Sequence, residues 1–155
     1  MDVDEVVRAW VFGWAVSRGT APPVPVDEGW RVEPREFLMS KDLAAVPEPR
    51  HESYDVKVTE DGTSLVKVVA VTGQGEPAAR AQGAFAQGVM TVDQVETEPA
   101  RRRRGLGRLV MTTLEYAAAE RGVRRAALVA TEDGRALYHS LGWTVGSPIT
   151  ATVRR

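Results

Sequence analysis

The chain has 155 residues, 43% of them hydrophobic and 26% charged, which suits one soluble globular domain and excludes both a disordered and a membrane-embedded composition. Twenty Lys and Arg oppose 21 Asp and Glu for a net charge of −1, so the surface as a whole is no polycation built to cling to nucleic acid. With no cysteine and only His51 and His139, there are no disulfides, thiolate sites or cysteine nucleophiles, and neither a zinc site nor any other metal is expected.

Asp2, Asp4 and Glu5 open the sequence in place of the basic start and apolar run of a signal peptide. No stretch approaches the roughly 20 apolar residues of a membrane span. The expectation is a cytoplasmic protein with no membrane partner. Val6, Val7, Trp10, Val11 and Trp14 recur at intervals of three and four, which predicts an amphipathic helix over 3–17, stopped by Gly19. Pro22, Pro23 and Pro25 make the following segment an extended connector. Trp30, Val32, Phe37 and Leu38 suggest one or two short strands broken at Pro34, and residues 41–46 suit one or two helical turns before Pro47.

Alternation over Tyr54–Thr59 and the β-branched run Leu65–Val71, separated by Glu60, Asp61 and Gly62, predicts a hairpin. The pattern repeats over residues 78–86 and 89–97 across Gln87 and Gly88, so these strands should form an antiparallel meander. After Pro99 the period becomes helical, with Leu106, Leu109, Val110, Thr113, Leu114 and Ala117 on one face and Gly122 as the stop. Then come a buried strand at Ala126–Ala130, a short helix at 133–141 and terminal strands at Trp143–Val145 and Ile149–Val153. The order describes a mixed α+β domain without internal repeats.

The connection from strand to helix, Thr97 to Arg108, contains Arg101–Arg104, Gly105, Gly107 and Arg108. A helix start offers unpaired amides and a positive dipole end, and glycines let the backbone approach a ligand closely. An anion is the natural occupant, and a pyrophosphate would accept several amides at once while arginines add charge-assisted bonds. Competing readings of the basic run are a solvated turn, a localisation tract and a nucleic-acid patch. The last is disfavoured by the net charge and by the lack of interleaved aromatic residues.

The spacing Arg102-x-x-Gly105-x-Gly107, preceded by Thr97-x-Pro99 and followed by an apolar helix, resembles the acyl-CoA-binding motif of the GNAT superfamily of N-acyltransferases. Downstream, Leu128–Thr131 and the run Gly134 to Trp143 resemble the family's later strand, helix and LY..LGF ending, with Trp143 in place of Phe. The resemblance covers residues 54–150 well and the first 50 poorly. It implies a single GNAT-like domain over 1–155, with the helix and Pro-rich connector in 1–29 and an acyl-CoA-binding core in 30–155. The implied fold is a central, mostly antiparallel sheet with splayed fourth and fifth strands, flanked by helices.

By the same resemblance Arg102, Arg103, Arg104, Gly105, Leu106, Gly107 and Arg108 bind the pyrophosphate of acetyl-CoA, the cosubstrate. Val95, Glu96 and Thr97 meet the pantetheine arm through backbone groups, as an added edge strand would. Tyr138 holds the general-acid position, protonating the departing thiolate. Thr131 stands where many relatives have an Asn that contacts pantetheine. Asp93 is the candidate base, because strict alternation places Thr91, Asp93, Val95 and Thr97 on one strand face and Glu96 on the other; a water relay and a purely structural carboxylate are the competing readings. The two helices that roof the acceptor site in the family are reduced here to 41–46, leaving an open groove or one closed by residues 3–17. Trp10 and Trp14 are read as core, as part of a homodimer interface, or as acceptor wall. The implied reaction is transfer of an acetyl group to a primary amine on a small molecule or peptide by direct attack on the thioester. The alternative is a catalytically silent GNAT-like module that binds CoA or a partner.

Overall fold

The computed structural model describes residues 15–16 and 29–154. In chain order the strands are β1 (Ala15–Val16), β2 (Trp30–Val32), β3 (Glu36–Asp42), β4 (Tyr54–Asp61), β5 (Leu65–Thr72), β6 (Pro77–Ala86) and β7 (Val89–Thr97). A 3₁₀ turn at Pro99–Arg101 precedes helix α1 (Leu106–Glu120), followed by β8 (Arg125–Thr131), helix α2 (Glu132–Ser140), β9 (Thr144–Thr150) and β10 (Thr152–Arg154). The class is mixed α+β with mostly antiparallel pairing. The chain divides into two compact units, Lys41–Leu128 and the combination of Met1–Ser40 with Val129–Arg155.

In the unit Lys41–Leu128 the strands lie in the order β8-β7-β6-β5-β4. The meander is the one the alternating pattern predicts. Gln87 (φ 50°) and Gly88 (φ 78°) join β6 to β7, and two successive positive φ values match the twist that a two-residue hairpin requires. Pairing carries Val66, Val68 and Ala70 of β5, Ala81 of β6 and Val92 of β7 to one buried face. Helix α1 packs on β5, β6 and β7, burying Leu106, Leu109, Val110, Met111 and Leu114. Each such side chain contributes about 1.5–3 kcal/mol of transfer free energy. At Gly83 a Cβ would lie 3.0 Å from Met90 Sδ and 3.3 Å from Leu114 Cδ2, so glycine here permits the close approach of helix and sheet.

The opposite face of the same strands carries Lys57, Thr59, Lys67, Arg80, Gln82 and Glu96, polar groups suited to water. The expected helical turn at residues 41–46 is absent. Strand β3 continues to Asp42, and the Leu43 N–H donates to the Arg124 carbonyl at 2.8 Å. A turn ended by Pro47 would bear the nucleation cost without propagation to offset it. Lys41 is held instead by Glu115 of α1, Nζ to Oε2 at 2.6 Å, with the carboxylate buried.

In the other unit β9 pairs antiparallel with β1 and with β3 over Glu36–Ser40, while β2 and β10 form a separate ribbon. Phe37, Met39, Tyr138, Leu141, Trp143 and Ile149 are buried. Two expectations change here. The predicted helix over 3–17 lies outside the described residues except at Ala15–Val16, which are strand. The terminal strands expected at Trp143–Val145 and Ile149–Val153 are instead β9, unbroken from Thr144 to Thr150, and the short β10. The register shift at Leu38/Met39 places a bulge close to Pro148, a setting in which a sheet tolerates a residue without an N–H.

Candidate active site

Strand β7 carries the first part of the site. Its parallel pairing with β8 covers Val89–Val92 against Arg125–Leu128, so Asp93–Thr97 lie beyond the paired register, as the splayed strands of the resemblance imply. On its other edge β7 stays paired with β6, but Gln82 faces Asp93 and Arg80 faces Glu96. Three steps along β7 match two along β6, which is a β-bulge; Gln94 takes φ 53° and its N–H donates to Asp93 Oδ1 at 2.6 Å.

The bulge corrects the facial assignment of the site residues. Strict alternation puts Asp93 with Val95 and Thr97, and Glu96 opposite. One inserted residue reverses the phase, so Asp93 shares the face of Gln82, Arg80 and Glu96. Thr97, paired with Ala79, belongs to the other face. Glu96 is exposed and bound to Arg80, Oε2 to Nη2 at 2.8 Å, which raises the pKa of the guanidinium further. Val95, Glu96, Thr97 and Arg102 line one groove of about 770 Å³ together with Ala79 and Arg80. The structure thereby brings four of the predicted binding residues around one space.

The arginine-glycine loop follows. The Glu98 N–H donates to the Ala78 carbonyl at 2.9 Å and fixes the exit from β7, and the turn Pro99–Arg101 then reverses the chain. Arg103 has φ 64°, and Gly105, the residue before α1, has φ 79° and ψ 4°. A Cβ on Gly105 would meet nothing within 4 Å, so glycine is needed there for backbone conformation and not for space. No side chain caps α1, and its first turn contains no acid. A 15-residue helix thus presents an uncapped, positive end beside exposed Arg103, Arg104 and Arg108. Leu106 is buried and anchors the turn. Arg102 Nε donates to the Thr97 carbonyl at 3.4 Å, and Arg101 pairs with Glu76 at 2.9 Å.

The sequence reading missed what braces this loop. The Arg101 and Arg104 guanidiniums lie near the Tyr54 hydroxyl, and Arg101 is the main reason its pKa lies below the ordinary 10.0. His51 contacts the Tyr54 ring edge-on, with centroids 5.1 Å apart, and its Nε2 lies 3.2 Å from the Arg104 carbonyl oxygen. Neither residue belongs to a local motif, and their spacing from the loop, about 50 residues, leaves no periodic trace in the sequence.

Thr131 and Tyr138 lie in the other unit, at the start and near the end of α2. Thr131 is the N-cap of α2, its Oγ1 accepting the Gly134 N–H at 3.1 Å, and its hydroxyl hydrogen is left to donate. Glu132 and Asp133 add negative charge at this helix start, the converse of α1. Tyr138 is buried further along the helix, its ring 6.3 Å from that of Trp143. Its carbonyl accepts N–H groups of Leu141 at 2.9 Å and Trp143 at 3.1 Å, which closes the helix. A Cβ on Gly134 would stand 3.2 Å from Tyr138 Cε2 and 3.3 Å from Thr131 Oγ1, so glycine lets the cap and the ring pack together. Among the described residues no cluster of His, Asp and Glu is fit to hold a metal, and no helix is long and apolar enough to cross a membrane.

The acetyltransferase (GNAT) family model matches residues 29–143. The chain belongs to this family. Among solved structures it is similar to a GCN5-related N-acetyltransferase from Kribbella flavida, at 20% identity and TM-score 0.62, covering 80% of this chain and 59% of that one. A second, from Sphaerobacter thermophilus, matches at 14% identity and TM-score 0.66, covering 99% of this chain and 56% of that one. A GCN5-related N-acetyltransferase-like protein from Streptococcus suis matches at 18% identity and TM-score 0.64, covering 83% and 64%. The chain therefore spans less than two thirds of the length of each of these three proteins. No curated protein matches the sequence.

Proposed function

We propose that the protein transfers an acetyl group from acetyl-CoA to a primary amine. The observation that carries this reading is the uncapped start of α1, entered through left-handed Gly105 and flanked by arginines, directly after a strand whose far half lies beyond its parallel pairing. The donor set suits a pyrophosphate: backbone amides and guanidiniums, with no acid in the first turn. Val95, Glu96 and Thr97 offer backbone groups to the amide-bearing pantetheine arm.

In the proposed reaction the amine nitrogen attacks the thioester carbonyl, a C–N bond forms, and the C–S bond breaks. Tyr138 gives its proton to the leaving thiolate. Asp93 takes the proton lost by the amine; its carboxylate is exposed and accepts one backbone N–H, which leaves lone pairs for that task. With no cysteine in the chain, direct attack needs no acyl-enzyme on a thiol.

Thiol release from acetyl-CoA across a panel of amines tests the reading. Tyr138→Phe is expected to lower kcat on the order of 100-fold, at the low end for a general acid because a thiolate leaves readily, with CoA affinity retained. Unchanged turnover would assign proton donation to solvent or to another group. A catalytically silent binding module is the second reading, favoured by the absence of helix between β3 and β4 where the family roofs its acceptor site. CoA binding without thiol release on any amine would select it.

A further inference from the structure

We infer that His51 is a positioning residue that aims the Gly105 amide at the pyrophosphate, an inference that rests on the acetyl-CoA reading above. The Ser53 N–H donates to His51 Nδ1 at 3.1 Å, so Nδ1 is an acceptor and carries no proton. The ring hydrogen is therefore on Nε2, which donates to the Arg104 carbonyl oxygen at 3.2 Å. In a trans peptide the C=O and N–H point in opposite directions. Holding the Arg104 oxygen toward His51 directs the Gly105 N–H, on the same peptide plane, away from His51 and toward the uncapped side of the α1 start.

The imidazole is itself fixed in place. Its two nitrogens are both engaged by backbone, and its ring meets Tyr54 at 77°. Tyr54 in turn stands near the Arg101 and Arg104 guanidiniums, which favour its ionised form. The segment before β4 thus sets the peptide plane of a loop that begins about 50 residues later.

Calorimetric titration of CoA into the full chain and into His51→Gln, His51→Asn and His51→Ala tests the role. A Gln amide reaches the Nε2 position and keeps the donor to Arg104, whereas an Asn oxygen keeps only the acceptor for Ser53. The expected Kd of His51→Gln is within about threefold of the parent, with His51→Asn and His51→Ala weaker by roughly tenfold, the order of one hydrogen bond. Equal losses in the Gln and Asn variants would assign His51 to packing alone and overturn the inference, as would parental affinity in His51→Ala. Should His51→Ala unfold, the Gln and Asn pair decides. A parent chain that binds no CoA would remove the acetyl-CoA reading itself, a different outcome from a parent that binds and variants that bind equally well.

Discussion

At the scale of residues, Gly105 and Tyr54 make the electrostatics of the loop testable. Gly105 has φ 79° with open space around a virtual Cβ, so substitution costs backbone conformation alone, about 1–2 kcal/mol for a branched residue and less for Asn. Gly105→Val is expected to weaken CoA binding tenfold or more and Gly105→Asn distinctly less, read by calorimetry; equal effects would mean that crowding, not φ, governs the position. Tyr54 has a folded pKa lowered from 10.0, chiefly by the nearby Arg101 guanidinium. A lowered acid pKa favours the ionised form in the fold. Its contribution is therefore complete above pH 10 and is lost as pH falls through the folded pKa. Denaturant melts should show the gap between parent and Tyr54→Phe widening as pH rises toward 10, and a gap independent of pH would refute the assignment. Asp93 shows how a residue's role depends on its neighbours: it stands beside Glu96 on the polar face because Gln94 is an extra residue in the register.

Among elements, α1 is the one that packs across β5, β6 and β7. Its apolar stripe was legible in the sequence because residues three and four apart share a face: the predicted Leu106, Leu109, Val110, Thr113, Leu114 and Ala117 are all buried, joined by Met111, Glu115 and Ala118. Glu115 was not legible as buried, because its partner, Lys41, comes from a strand 74 residues earlier. Removing one partner of a fully buried pair costs about 3–5 kcal/mol; Lys41 keeps 22% of its side chain exposed, so screening reduces the expected cost of Glu115→Gln to about 1–3 kcal/mol. Denaturant unfolding checks this, and a change below about 0.5 kcal/mol, the scale of an ordinary surface substitution, would show that the pair contributes nothing net. Helix α2 has the opposite design, with a Thr131 cap and two acids in its first turn where α1 has a bare, arginine-flanked start. That contrast is why the proposed anion site is placed at α1 and not at α2.

For the molecule as a whole, a net charge of −1 coexists with five arginines between residues 101 and 108. Balance over the chain therefore says little about any one surface. The face of β4–β7 away from α1 mixes Lys57, Thr59, Lys67, Arg80, Gln82 and Glu96 with the apolar Leu65, Val69 and Val71, of which Val71 is buried. The sequence alone determined the meander, the two helices and the place of the arginine-glycine loop, because alternation, 3.6-residue periodicity and Gly or Pro punctuation are local properties that short segments express by themselves. It also carried the GNAT resemblance, whose motifs are contiguous. Tertiary structure decided the rest: that a bulge turns Asp93 away from Val95 and Thr97, that β3 replaces a helical turn, that β9 runs through Pro148, and that His51 and Tyr54 brace the arginine loop. Each of these depends on a register or a contact between segments far apart in the chain, and such relations come into being only when the strands pair and the core closes.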